Sequence, residues 1–346
     1  MAISGQLSLG GYTDVQFRYE KEAGLTEELT FLAKRFNLFM FAAVSERVRI
    51  ASEIEFEEGG EEIVLELAIV DFEIHPAVTF RAGILLSPLG RFNISHDSPI
   101  NTMVDRPLVS TEVIPTTLSE TGAGLYGAIY PSPSFRLTYE AYLVNGFSDG
   151  VLSSSEGGTR LANGRRNFED GNKTPSFTGR LAVSPIPDVE VGFSTHQGPY
   201  NDFDMEGLIV DDKRNLGIIA LDGEVNWRRY NLNGEFARTN IDVTPFLRGL
   251  YAQKQQGFYL EGGIRFLEGV VEILPESVFI AALRYDAIDL DMDIEGDSQK
   301  RVTVGLNFKP ANETVFKFNY VRHWDRDRFD VETPAAAVLF GLATYF

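Results

Sequence analysis

The chain has 346 residues, no cysteine, 44% hydrophobic residues and a formal net charge of -19. Without cysteine there can be no disulfide, thiolate metal site or cysteine nucleophile, and the acidic balance argues against nucleic acid, whose phosphates it would repel. No apolar run reaches the roughly 18 to 20 residues that a spanning helix needs, and the best, over 36–44, is interrupted by Asn37. The first residues, Met1-Ala2-Ile3-Ser4-Gly5-Gln6, carry neither a basic nor an apolar leader region, so a secretory signal is expected to have been removed from this numbering. From there Leu7, Leu9, Thr13, Val15, Phe17 and Tyr19 alternate with Ser8, Gly10, Tyr12, Asp14, Gln16 and Arg18. That period of two predicts a strand with one polar face over 6–20.

The same period recurs over 34–44, 47–57, 62–75, 78–86, 121–130, 135–145, 176–184, 189–197, 214–227, 230–242, 256–267, 277–289, 299–309, 314–325 and 336–346, sixteen strands in all. Connections alternate between short ones, such as Ser45-Glu46, Pro76-Ala77 and Arg228-Arg229, and long polar ones. The exceptions are 268–276, long for its rim, and Glu58-Gly59-Gly60-Glu61, short for the other. Short turns on one rim, long loops on the other, and an apolar, aromatic terminal strand ending at Phe346 predict a single all-β domain over 1–346. The predicted fold is a transmembrane antiparallel β-barrel in the outer membrane of a Gram-negative type cell.

Parity sorts the side chains. On the third strand Val48, Ile50, Ile54 and Phe56 share one face and Arg49, Glu53, Glu55 and Glu57 the other, so the charged set points inward. The same sorting turns Glu66, Arg81, Arg136, Glu140, Arg180, Asp222, Glu224, Glu235, Glu261, Arg265, Arg284, Asp286, Arg301, Lys309 and Lys317 inward, and Phe135, Leu137, Tyr139, Phe316, Phe318 and Tyr320 toward lipid. Sixteen strands enclose an aqueous channel unless something fills it, and no plug domain is expected ahead of the first strand. Passive diffusion of small hydrophilic solutes or ions is the expected function. The rival is a structural or adhesive barrel whose external loops bind a partner.

The longest connection, 87–120, is too long for a reversal and too rich in Leu, Ile and Val to be disordered. It is expected to fold inward and narrow the pore, with Arg91, His96, Asp97, Asp105 and Arg106 at or near the constriction. Glu53, Glu55 and Glu66 fall on early strands, whereas Arg265, Arg284, Arg301 and Lys317 fall on late ones. Opposite walls are therefore expected to carry opposite signs and to create a transverse field. A short helix is expected over 244–255, packing through Phe246, Leu247 and Leu250.

Within the long connection, Gly90-Arg91-Phe92-Asn93, His96-Asp97, Asp105-Arg106-Pro107-Leu108-Val109, Ile114-Pro115-Thr116-Thr117 and Gly122-Ala123-Gly124 follow one another in an order that resembles the bacterial outer-membrane porins grouped with the phosphate-selective porins. This resemblance spans about 40 residues; beyond it lie only the barrel period and the terminal Phe. It implies a sixteen-stranded porin assembled as a homotrimer among outer-membrane lipid and lipopolysaccharide. Phosphate specificity is left unassigned, because acidic residues are present along the predicted lumen in number comparable to the basic ones.

A second candidate is the run Asp289, Asp291, Asp293, Glu295 and Asp297, whose oxygen-rich side chains suit Ca²⁺ or Mg²⁺ at an acidic external loop, although it lacks the spacing of a calcium-binding loop. No other cofactor is expected. His75, His96, His196 and His323 lie on separate elements, and neither a His-Glu-x-x-His nor a Gly-x-Ser-x-Gly motif is present, so no enzyme is expected.

Overall fold

The structure, a computed structural model, describes residues 7–152, 158–165 and 168–346. Gln6, the expected start of the first strand, lies outside the described residues. Eighteen strands follow along the chain: β1 (Leu7–Glu22), β2 (Leu25–Ala43), β3 (Val48–Glu57), β4 (Glu62–His75), β5 (Val78–Leu86), β6 (Ser119–Ser132), β7 (Phe135–Val144), β8 (Ser176–Ile186), β9 (Val189–Pro199), β10 (Asp204–Met205), β11 (Leu208–Ile209), β12 (Asn215–Trp227), β13 (Tyr230–Ile241), β14 (Lys254–Phe266), β15 (Val278–Asp289), β16 (Ser298–Ala311), β17 (Thr314–Arg326) and β18 (Glu332–Tyr345). β10 and β11 form a small hairpin within one loop, and the other sixteen close into one antiparallel barrel.

Closure runs through β1, which pairs with β2 on one side and β18 on the other: Tyr12 stands opposite Asn37 and Tyr345 at once. The terminal Phe346 extends the seam by exchanging backbone hydrogen bonds with Gly11 (3.3 and 3.0 Å) and stacking its ring on Phe36. A sealed ring leaves no strand edge unpaired, which is what hydrocarbon demands of a spanning sheet. Outward positions hold the apolar set, Leu143, Leu221, Leu283 and Phe318 among them, all more than half exposed on the isolated chain. Five neighbouring strands, β14 to β18, link Phe266, Phe279, Phe308, Phe316 and Phe340 into a ladder with ring centroids 4.8 to 6.3 Å apart, an aromatic girdle on the lipid side.

The rim bearing the terminal residue has turns at 44–47, 76–77, 133–134, 187–188, 228–229 and 312–313, plus the longer 267–277, while the opposite rim carries the long loops 87–118, 145–175, 200–214 and 242–253. Two local expectations fail. The stretch 21–33 is not a loop: β2 begins at Leu25, and only Ala23-Gly24, both at positive φ (46° and 87°), make the turn. A register shift at Glu20/Lys21 interrupts the alternation there and hides the strand extension. Residues 244–255 hold only a single turn at Pro245–Leu247, with β14 beginning at Lys254; Phe246 is 94% exposed, and only Leu247 of the expected trio packs inward.

Candidate functional site

The connection 87–118 lies inside the barrel, held by wall side chains that meet its backbone. It enters through a short helix, Gly90–Ile94, whose first amides need acceptors. Ser194 on β9 takes the Gly90 N–H (2.8 Å) and Glu235 on β13 takes the Phe92 N–H (3.0 Å) and the Ser110 hydroxyl (3.0 Å). Gly90 sits at φ 70°, where an added Cβ would fall 2.5 Å from the Glu235 carboxylate, so both conformation and space require glycine. The chain then crosses to the far wall. His96 Nε2 lies 3.0 Å from Glu66 on β4, Ser98 donates to Asp14 on β1 (2.6 Å), and Tyr345 on β18 donates to Asp97 (2.8 Å). Burial disfavours the charged His96 ring, yet its ion pair and hydrogen bond with Glu66 outweigh that and raise its pKa above the ordinary histidine value.

Next the loop runs along β15 to β17. Lys317 Nζ donates to the carbonyls of Ser98 (2.7 Å) and Met103 (3.2 Å), Asn307 to that of Thr102 (2.7 Å), and Asn319 accepts the Val104 N–H (2.7 Å). Arg284 donates to the Asp105 carbonyl (2.9 Å), Arg301 to that of Arg106, and Asp286 accepts the Leu108 N–H (2.9 Å). Asp105 closes the crossing with an ion pair to Arg18 on β1. A loop whose amides and carbonyls are satisfied this thoroughly by buried side chains has one seated position rather than many.

Three cavities touch it: one of about 760 Å³ at the rim of long loops, lined by Glu112, Arg160, Asp297, Asp325 and Arg328 among others, and two on its opposite faces. Toward the rim of short turns lies one of about 460 Å³, lined by Arg91, Asp105, Pro107, Glu224, Asn231, Asn233, Tyr259, Glu261, Arg265 and Arg284. Toward the rim of long loops, beside β2 to β4, lies another of about 220 Å³, lined by Lys34, Arg35, Glu55, Glu57, Glu66, Arg106, Thr111, Thr117 and Arg165. Consecutive residues thus face opposite chambers: Asp105 and Pro107 the inner one, Arg106 the outer one. Arg106 reaches Thr117 at 3.5 Å, while its Nε and Nη2 are buried without a hydrogen-bond partner.

The residues singled out from the sequence divide by role. Arg91, Asp105, Arg106, Glu55, Glu66, Arg265 and Arg284 line the two chambers. His96, Asp97, Arg301 and Lys317 are spent on seating the loop, and Glu53 is buried against the Asn37 amide (2.6 Å). The walls do not separate by sign. Arg35 on β2 pairs with Glu55 and Glu57 (both 2.8 Å), and Arg284 with Asp286 (3.0 Å) and Glu261 (3.6 Å), each within its own wall, while Arg91 of the inward loop pairs with Glu224 on β12 (2.5 Å), so charge is neutralised locally instead of being divided between walls. Sequence reasoning missed Asp14, Arg18 and Ser194, inward residues whose partners lie far along the chain, and Arg35, whose partners Glu55 and Glu57 stand on the adjacent strand. Inward parity near Asn37 is the one signal that could have flagged Arg35.

The acidic run turns its charge elsewhere. Asp297 pairs with Arg160 (2.7 Å) and Asp291 with Arg328 (3.5 Å), while Asp289 and Asp291 accept the backbone N–H groups of Asp291 and Asp293 (3.2 Å each). Among the described residues, no group of three or more His, Cys, Asp or Glu side chains is placed to hold a metal ion.

No family model matches the chain. An uncharacterized protein of Aquifex aeolicus (strain VF5) is 27% identical over 364 aligned residues, covering 96% of this chain and 79% of that protein. Among solved structures, the outer membrane channel DcaP of Acinetobacter baumannii superposes with a TM-score of 0.63 at 12% identity, covering 100% of this chain and 99% of its own. The anion-selective porin of Comamonas acidovorans gives 0.62 at 13% (99% and 100%), and the trimer form of the Vibrio cholerae outer membrane protein OmpT 0.61 at 11% (99% and 99%). At such identities the likeness is one of fold. Taken with the apolar belt, the wet charged interior and the closed ring of sixteen strands, it makes the chain an outer-membrane β-barrel of the porin architecture.

Proposed function

We propose that the protein is a porin, a homotrimer that lets small hydrophilic solutes and ions diffuse passively across the outer membrane, and that it is not an enzyme. The observation that carries this reading is the pair of polar chambers on the two faces of the inward loop, whose linings meet at Asp105-Arg106-Pro107. A chain one residue thick between two wet chambers sets the narrowest point of a passage, and pore diameter together with the charges around it then decides what passes. Carboxylates and guanidinium groups stand paired on both sides of that point, which favours a weakly selective passage over one specific for phosphate. Trimer assembly follows the OmpT trimer form and is tested by the mass of the detergent-solubilised complex, expected at three copies.

Liposome swelling tests permeation. With the folded protein in the bilayer, swelling rates should fall as neutral sugars and amino acids of increasing mass are supplied outside. Rates no faster than those of protein-free liposomes would end this reading.

A further inference from the structure

Among the described residues, nineteen buried apolar ones form one continuous core inside the barrel rather than outside it. Leu216, Ile218 and Ala220 of β12 and Ala237 and Ile241 of β13 point into the lumen near the rim of long loops and are at most 4% exposed. Five connections fill the space in front of them, Tyr200 of the loop after β9 and Leu290 of the loop after β15 among the residues they supply. Val109 and Val113 come from the inward loop, Phe147, Val151 and Leu161 from the loop after β7, and Val243 from the loop after β13, all of them at most 1% exposed. The loop after β7 is tied into place by Arg160 N–H to the Val151 carbonyl (3.1 Å), by Gln255 to the Thr159 carbonyl (2.9 Å) and by the Arg160–Asp297 pair (2.7 Å). Water does not enter a packed apolar region of this kind.

We propose that the outer half of the lumen is split into two lanes, one beside β12 and β13 closed by this interleaved lid, and one beside β2 to β4, past Arg106, that carries all the traffic. The lid is then a separable element: loosening it opens a second, wider and less selective route without touching the first. This inference rests on the porin reading and adds to it that several connections, not the inward loop alone, set the bore.

The absence of native cysteine makes the test direct. Arg106→Cys places a single thiol in the open lane, where a bulky biotin-linked methanethiosulfonate should abolish single-channel current in an otherwise unaltered chain. Adding Leu161→Ser, or Val151→Ser where the first variant fails to give heat-modifiable folded barrel, should raise conductance about twofold and leave a current that the reagent cannot remove. Incomplete block without the lid substitution, or complete block with it in folded protein, overturns the two-lane arrangement while leaving the porin reading standing. Folded wild-type protein that never conducts overturns both.

Discussion

The two sides of the outer lumen are built from the same kind of strand, yet one is dry and the other wet. Beside β12 and β13, inward Leu216, Ile218 and Ile241 are answered by Val109, Val151 and Leu161 and exclude water. Beside β2 to β4, inward Arg35, Glu55 and Glu66 are answered by Arg106, Thr111 and Thr117 around an open chamber. Inward parity alone therefore does not make a channel wall. The residues that loops bring to a wall decide whether it faces solvent, and in this barrel they close one side and leave charge on the other.

Breaking that contrast altogether has the largest expected effect. Replacing 88–117 with a short Gly-Ser turn removes the loop from both sides and should raise single-channel conductance severalfold, with pore diameter in control; unchanged conductance would mean that the loop does not limit passage. Removing only the barrier group, with Arg106→Ala, should raise conductance by about twofold and shift ion preference toward cations, since Glu55 and Glu66 remain. A third test separates neighbours on the wet wall: Glu55→Lys should move the reversal potential under a salt gradient toward anions, whereas Glu53→Gln, buried against Asn37 away from the chamber, should move it little. Equal shifts from both would place Glu53 in the conduction path.

The smallest effect concerns how firmly the loop is seated. The closed pairing of His96 with Glu66 holds the ring's pKa above its free value, so the latch is at full strength below the free histidine range and is lost as pH rises through the raised value. Current fluctuations should accordingly be rarer at acidic than at alkaline pH, and His96→Gln should remove the dependence. Fluctuations that do not change with pH in the wild-type chain would exclude the latch.

The barrel was legible in the sequence because a period of two over sixteen segments, with short turns on one rim, has few other solutions. What was hidden had specific physical causes. The register shift near Glu20 masked the start of β2, and Gly249 at positive φ, with β14 already beginning at Lys254, left no room for a helix after Thr244. Along the outer half of β12 both faces carry apolar residues, inward Leu216 and Ile218 beside outward Ile219 and Leu221, so alternation carried no sign of the lid there. The inward loop stood out by its length and its ordered Gly, Asp, Arg and Pro positions. Its seating on Asp14, Arg18 and Ser194 did not, because those contacts join residues 84 to 104 positions apart along the chain.

The central claim is that water connects the two chambers across Asp105-Arg106-Pro107. Recording the purified, folded chain in a planar bilayer tests it most directly: discrete ohmic steps that scale with salt concentration are the result the structure predicts, and electrical silence from barrel that shows heat-modifiable migration would contradict it.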